Sequence, residues 1–65
     1  MDRQYKASLY DLTSQKFVME EKKGDVIMGS EENRLILYDE NEASSLLLML
    51  NDNYSSCFVL LDETE

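Results

Sequence analysis

Grouped carboxylates are the side chains of this chain whose type and spacing favour chemistry at a surface. They fall into three groups, namely Asp39, Glu40 and Glu42; Asp62 and Glu63; and Glu31 and Glu32. Carboxylates held close together repel one another, and a cation or a basic partner relieves that repulsion. We expect all seven residues to contact a partner protein. The alternative is that the acids only keep a small protein soluble.

A calcium site is a further way to relieve such repulsion, but the spacing disfavours it. A calcium-binding loop that began at Asp39 would place Ala43 where the loop needs an oxygen ligand, and no glycine follows at the sixth position. The chain also lacks histidine. The sequence therefore predicts no metal site.

The net charge of the chain belongs entirely to its second half. Residues 1–30 carry five acids and five bases, whereas residues 31–65 carry nine acids and one base, which gives the net charge of −8. Such a one-sided field repels nucleic acid and anionic membranes and attracts basic protein surfaces. We expect a basic protein as the partner, with no direct contact to nucleic acid or membrane.

Signs of catalysis are absent from the sequence. Nucleophilic catalysis commonly uses histidine as the base, and this chain has none. The lone Cys57 precedes an apolar run, so we expect it to be buried and inert. Gly24 and Gly29 form no phosphate-binding loop. The sequence predicts a protein that is not an enzyme and that has no cofactor.

The small size of the chain favours self-association. A 65-residue domain buries only about 60% of the surface that its unfolded chain exposes, and one cysteine cannot form an intrachain disulfide. Leu48 and Met49 project away from the stripe formed by Ala43, Leu46, Leu47 and Leu50 in the predicted helix. They are our candidates for an oligomer interface, and we expect a homodimer. The competing interpretation is a helix embedded under a curled sheet.

The hydrophobic pattern predicts one small acidic α+β domain over residues 1–65. Alternating or short apolar stretches predict strands at residues 5–12, 16–21, 26–28, 34–38 and 56–61, and a helix is expected at residues 40–50 after an N-cap at Asp39. The expected architecture is an antiparallel sheet of four or five short strands with one helix on one face, in the order ββββαβ. The unbroken apolar run of the last strand predicts a central position in the sheet.

These observations lead to two hypotheses about function. The first is a non-enzymatic inhibitor or regulator that docks its acidic surface on a basic face of a partner, in its narrowest form as a DNA mimic on a DNA-binding enzyme. In size and charge alone, the chain is similar to small acidic inhibitors among phage-encoded proteins. The second is a homo-oligomeric structural or regulatory module in which the acids act only as solubilisers. Since no apolar run is long enough to span a bilayer, we expect a cytoplasmic protein.

Overall fold

The computed structural model describes residues 4–64 as a four-stranded antiparallel sheet with one helix, which confirms the α+β prediction. The strand order across the sheet is β3-β2-β1-β4. The elements in chain order are β1 (Ala7–Asp11), β2 (Lys16–Lys22), β3 (Asp25–Gly29), a short 3-10 helix (Glu31–Asn33), α1 (Glu40–Asn53) and β4 (Phe58–Asp62).

Helix α1 covers one face of the sheet, where it packs mainly on β1 and β4. The core between the two layers includes Leu9, Val18, Leu50 and Phe58, all of them buried. Successive strand residues alternate between faces, so Tyr10 and its neighbours point to the other side. That side, which we call the open face, carries Ser8, Tyr10, Phe17, Val59 and Leu61.

Helix α1 begins where the sequence predicts it and extends three residues further. The side chain of Asp39 accepts hydrogen bonds from the backbone N–H groups of Asn41 and Glu42, at 2.8 and 3.2 Å, and so acts as the N-cap. At the other end, the amide side chain of Asn51 donates to the carbonyl of Phe58 and accepts from its N–H. These two bonds fix the end of the helix to the start of β4.

The hairpin between β2 and β3 has a two-residue turn. Lys22 pairs with Asp25, and the two residues between them have positive φ angles, 52° at Lys23 and 88° at Gly24. Such turns match the right-handed twist of the strands that they join. The hydroxyl of Tyr54 donates to the carbonyl of Gly24, at 2.7 Å, so the tip of this hairpin contacts the end of α1.

A β-bulge interrupts β2 at Met19. Val18 pairs with Met28, but the next paired residue is Glu20, opposite Ile27. The extra residue changes which side chains face the helix beyond this point. Glu21 therefore pairs with Val26 on the helix side, whereas unbroken alternation would place Glu20 there.

The predicted strand at residues 34–38 forms only one isolated bridge, between Leu37 and Ala7. This segment enters where β1 and β2 diverge: Leu35 donates to the carbonyl of Val18, and Leu37 exchanges two backbone bonds with Ala7. Because the segment bonds to β1 and to β2 at only one residue each, it forms no continuous ladder with either strand. The segment still runs parallel to β4, since both lie antiparallel to β1 on its two sides.

Two expectations near the C-terminus are wrong. β4 is an edge strand and not a central one; its apolar run is continuous because Phe58 and Leu60 face the core while Val59 and Leu61 face the open side of the sheet. Cys57 is exposed and not buried, because it precedes β4 and lies outside the ladder. No helix within residues 4–64 has the length and apolar character needed to cross a membrane.

Candidate acidic binding surface

Four of the seven predicted site residues lie around the start of α1. Asp39 caps the helix, and Glu40 and Glu42 follow in its first turn, where the positive end of the helix dipole favours negative charge. Asp62 joins them because it pairs with Ala7 on one side of β1 while Leu37 pairs with Ala7 on the other. The backbones of Leu37 and Asp62 are therefore separated by two strand spacings, about 10 Å.

The pKa of Tyr5 is affected by carboxylates at the helix start and at the end of β4. Burial raises the pKa of its hydroxyl above the usual value, and the charges of Glu40 and Asp62 both raise it further. Glu40 and Asp62 therefore both lie within electrostatic range of Tyr5. The structure thus brings together residues from the helix start and from the end of β4.

Glu21 is a fifth member that sequence reasoning missed. It lines a hollow of 380 Å³ together with Asp39 and Glu42, and the bulge in β2 is what turns it to this side. The sequence carries no clear signal for a bulge at Met19, so alternation alone assigns Glu21 to the wrong face. We call the group Glu21, Asp39, Glu40, Glu42 and Asp62 the acidic surface.

Glu63 does not belong to the acidic surface. Its carboxylate accepts hydrogen bonds from Arg34, at 2.9 Å to Nε and 2.5 Å to one terminal nitrogen, and from the hydroxyl of Ser8. These bonds lie at the open face and lower the pKa of Glu63 to about 2, with the bond from Arg34 as the largest cause. Glu63 is therefore neutralised within the fold.

Arg34 and Glu63 form the one ion pair within residues 4–64. The carboxylates of the acidic surface have no such partner in that part of the chain. Asp39 accepts backbone bonds as the helix cap, Glu21 accepts one from the N–H of Gly24 at 2.9 Å, and Asp62 accepts one from the N–H of Thr64. None of these donors carries a positive charge, so the carboxylates of the acidic surface have no neutralising partner within residues 4–64.

The other predicted site residues lie apart from the acidic surface. Glu31 and Glu32 form the exposed first turn of the 3-10 helix, and Glu31 borders a different hollow beside Phe17 and Gly29. Leu48 projects outward with 68% of its surface exposed. Met49 packs against the core instead and lines the hollow beside Leu46.

The acidic surface has a groove beside it. Helix α1 leaves a gap to β2, and two adjoining hollows of 380 and 250 Å³ fill this gap. Both are lined by Glu21, Glu42 and Leu46. The groove therefore combines an apolar floor with an acidic rim.

The described residues contain no cluster of three or more side chains suited to hold a metal ion. Comparison of the chain with protein-family models, with curated proteins and with solved structures finds no significant match.

Proposed function

We propose that the protein is a non-enzymatic binding module that docks its acidic surface on a basic face of a partner protein and so inhibits or regulates that partner. The observation that carries the proposal is the contrast in pairing: Glu63 has an arginine, whereas Glu40 and Glu42 have no basic partner within residues 4–64. Unpaired like charges at one end of a small domain attract a cationic surface and speed its association.

In its narrowest form, the carboxylates occupy the nucleic-acid groove of a DNA-binding enzyme and stand in for phosphates. Phosphate-binding grooves present clustered Lys and Arg, which the acidic surface complements. The setting that we propose is the cytoplasm, where the exposed thiol of Cys57 stays reduced.

The test is affinity capture from lysate at low and at high salt, quantified by mass spectrometry. The test variant neutralises Glu40 and Glu42 to Gln and Asp62 to Asn, which keeps the acceptor for Thr64. Its control removes the same charge elsewhere, with Glu31 and Glu32 changed to Gln and Asp52 to Asn.

We expect basic proteins that are captured by the wild type and the control, lost with the test variant, and released by salt or by competing duplex DNA. Capture that is the same at low and high salt, or that falls equally in both variants, would refute the proposal. Capture that salt disrupts but DNA does not would refute only mimicry.

A second candidate function, self-association through α1, is supported by one observation. Within residues 4–64, Leu48 is the most exposed of the large apolar side chains, and an exposed leucine on a helix is suited to a contact between copies. Sedimentation at micromolar concentration tests it. Leu48→Glu should shift an oligomer to the monomer, whereas Leu12→Glu, at a leucine 51% exposed in the β1–β2 turn, should not. A wild-type monomer would exclude this function.

A further inference from the structure

The groove between α1 and β2 specifies more about the partner than charge alone does. Its larger hollow has a volume of 380 Å³, within the range of about 300 to 1,000 Å³ that is usual for binding pockets. Leu35, Leu37 and Leu46 contribute apolar surface to it. A site that recognised charge alone would not need this apolar floor.

Among residues 4–64, the charged side chains that line the larger hollow are all acidic, namely Glu21, Asp39 and Glu42. Tyr38 lines the same hollow with 56% of its surface exposed. An arginine that enters beside Tyr38 can stack on the ring while it faces the carboxylates.

The hollow continues along the helix. The second hollow, of 250 Å³, adds Ser45 and Met49 to the shared residues. The side chain of Met49 is flexible and polarizable, so it can adapt to apolar groups of different shape. The groove thus runs along α1 from the cap at Asp39 to the third helical turn, which is long enough for a short peptide segment and not only for one ion.

We propose that this groove binds a short basic segment of the partner protein, which inserts one bulky apolar side chain over Leu46 and places Lys or Arg against Glu21 and Glu42. The occupant follows from charge complementarity: three carboxylates surround an apolar floor, so the matching ligand is cationic with an apolar anchor. The inference rests on the proposed function and refines its partner class. The anchor gives specificity, and the flanking charges mainly speed association.

The experiment selects peptides from a random library displayed on phage against the wild-type protein. Peptides are then counter-selected on a variant that carries Glu21→Gln and Glu42→Gln. Glutamine at position 21 still accepts the bond from the N–H of Gly24, so the turn is preserved. A matched control carries Glu32→Gln and Asp52→Asn, both outside the groove. Selected peptides are synthesised, with and without replacement of their apolar residue by serine, and titrated into labelled protein by NMR.

We expect peptides in which Lys or Arg flanks one bulky apolar residue, with shift changes centred on Leu37, Leu46 and Met49. Serine replacement and the groove variant should each weaken binding about tenfold, about 1.4 kcal/mol, while the control should not. Peptides that are basic but lack a shared apolar residue, with shifts spread over the acidic surface, would overturn the groove proposal and leave the proposed function standing. Peptides with no basic enrichment would contradict both.

Discussion

The sheet and the start of α1 both contain carboxylates, but these carboxylates differ in the partners that the fold gives them. On the sheet, Asp11 accepts bonds from Thr13 and Ser14, and Glu63 is held by Arg34. At the helix start, the carboxylates either cap the helix or have no basic partner within residues 4–64. Asp11 and Glu63 thus take part in bonds that stabilise the fold, as Asp39 does through its capping bonds, whereas Glu40 and Glu42 have no basic partner within residues 4–64. Substitutions of the two kinds of acid should therefore differ in their effect on stability.

The largest expected effect is at Asp11, whose residue surface is only 4% exposed. Burial acts to raise the pKa of its carboxyl, but hydrogen bonds from Ser14, Thr13 and Ser56 outweigh burial and lower it. Asp11→Ala leaves the N–H of Thr13 without its acceptor and should reduce the free energy of unfolding by about 2 kcal/mol. Urea denaturation measures this loss. Asp52→Ala, at an exposed acid, should change stability by less than about 0.5 kcal/mol, and equal losses would erase the contrast.

The next effect concerns Glu63 and its dependence on pH. Glu63→Gln removes the negative charge and leaves one amide oxygen in place of the two carboxylate oxygens that accept bonds from Arg34 and Ser8, so it should cost about 1.5 kcal/mol at neutral pH. Because folding lowers the pKa of Glu63 from 4.5 to about 2, its contribution is complete above pH 4.5 and is lost as the pH falls toward 2. The wild type should therefore lose more stability than the variant across this interval in denaturation at stepped pH. Parallel pH profiles would show that the ion pair adds nothing.

Asp39 sharpens the comparison because it belongs to the acidic surface and yet has a structural role. Asp39→Ala removes the acceptor for the N–H groups of Asn41 and Glu42 and should cost about 1 kcal/mol. Asp39→Asn removes the charge but keeps a cap, so it should be close to the wild type in thermal unfolding. If both variants lost the same stability, charge and not capping would be the cause.

The smallest expected effect on stability is at Glu42. Glu42→Gln removes one negative charge from a crowded surface and also one favourable interaction with the helix dipole, so the free energy of unfolding should move by less than about 0.5 kcal/mol. Chemical denaturation at low and high salt checks this value. A loss of 1 kcal/mol or more would show that Glu42 supports the fold and is not free for binding.

Local features of the fold are readable from the sequence, whereas long-range ones are not. Helix α1 is predictable because Asp39 caps it and its apolar residues recur at helical spacing. The ion pair of Arg34 with Glu63 is not, since 29 residues separate the partners and only the assembled sheet brings them together. The residues 34–38 look like a strand because their composition suits one, but β1 offers them a single pairing site at Ala7.

The sequence likewise predicts one part of the candidate site and not the rest. Parallel directions of the segment 34–38 and of β4 bring Asp39 and Asp62 to the same end of the sheet, as the sequence pattern indicates. Alternation along β4 predicts that Glu63 faces the opposite side of the sheet from Asp62. The sequence does not predict that Arg34 is its partner. Glu21 was missed because a bulge leaves no compositional trace.

The bulge in β2 also bears on how a change in the pairing register of β2 and β3 would alter the groove. If Met19 entered the ladder regularly, the hairpin would close one residue earlier with a three-residue loop, and Glu20 would take the place of Glu21 opposite Val26. Both neighbours are glutamates, so either register delivers a carboxylate to the same rim. Because of this duplication, a shift of one residue in the register of the hairpin would leave the charge of the groove unchanged.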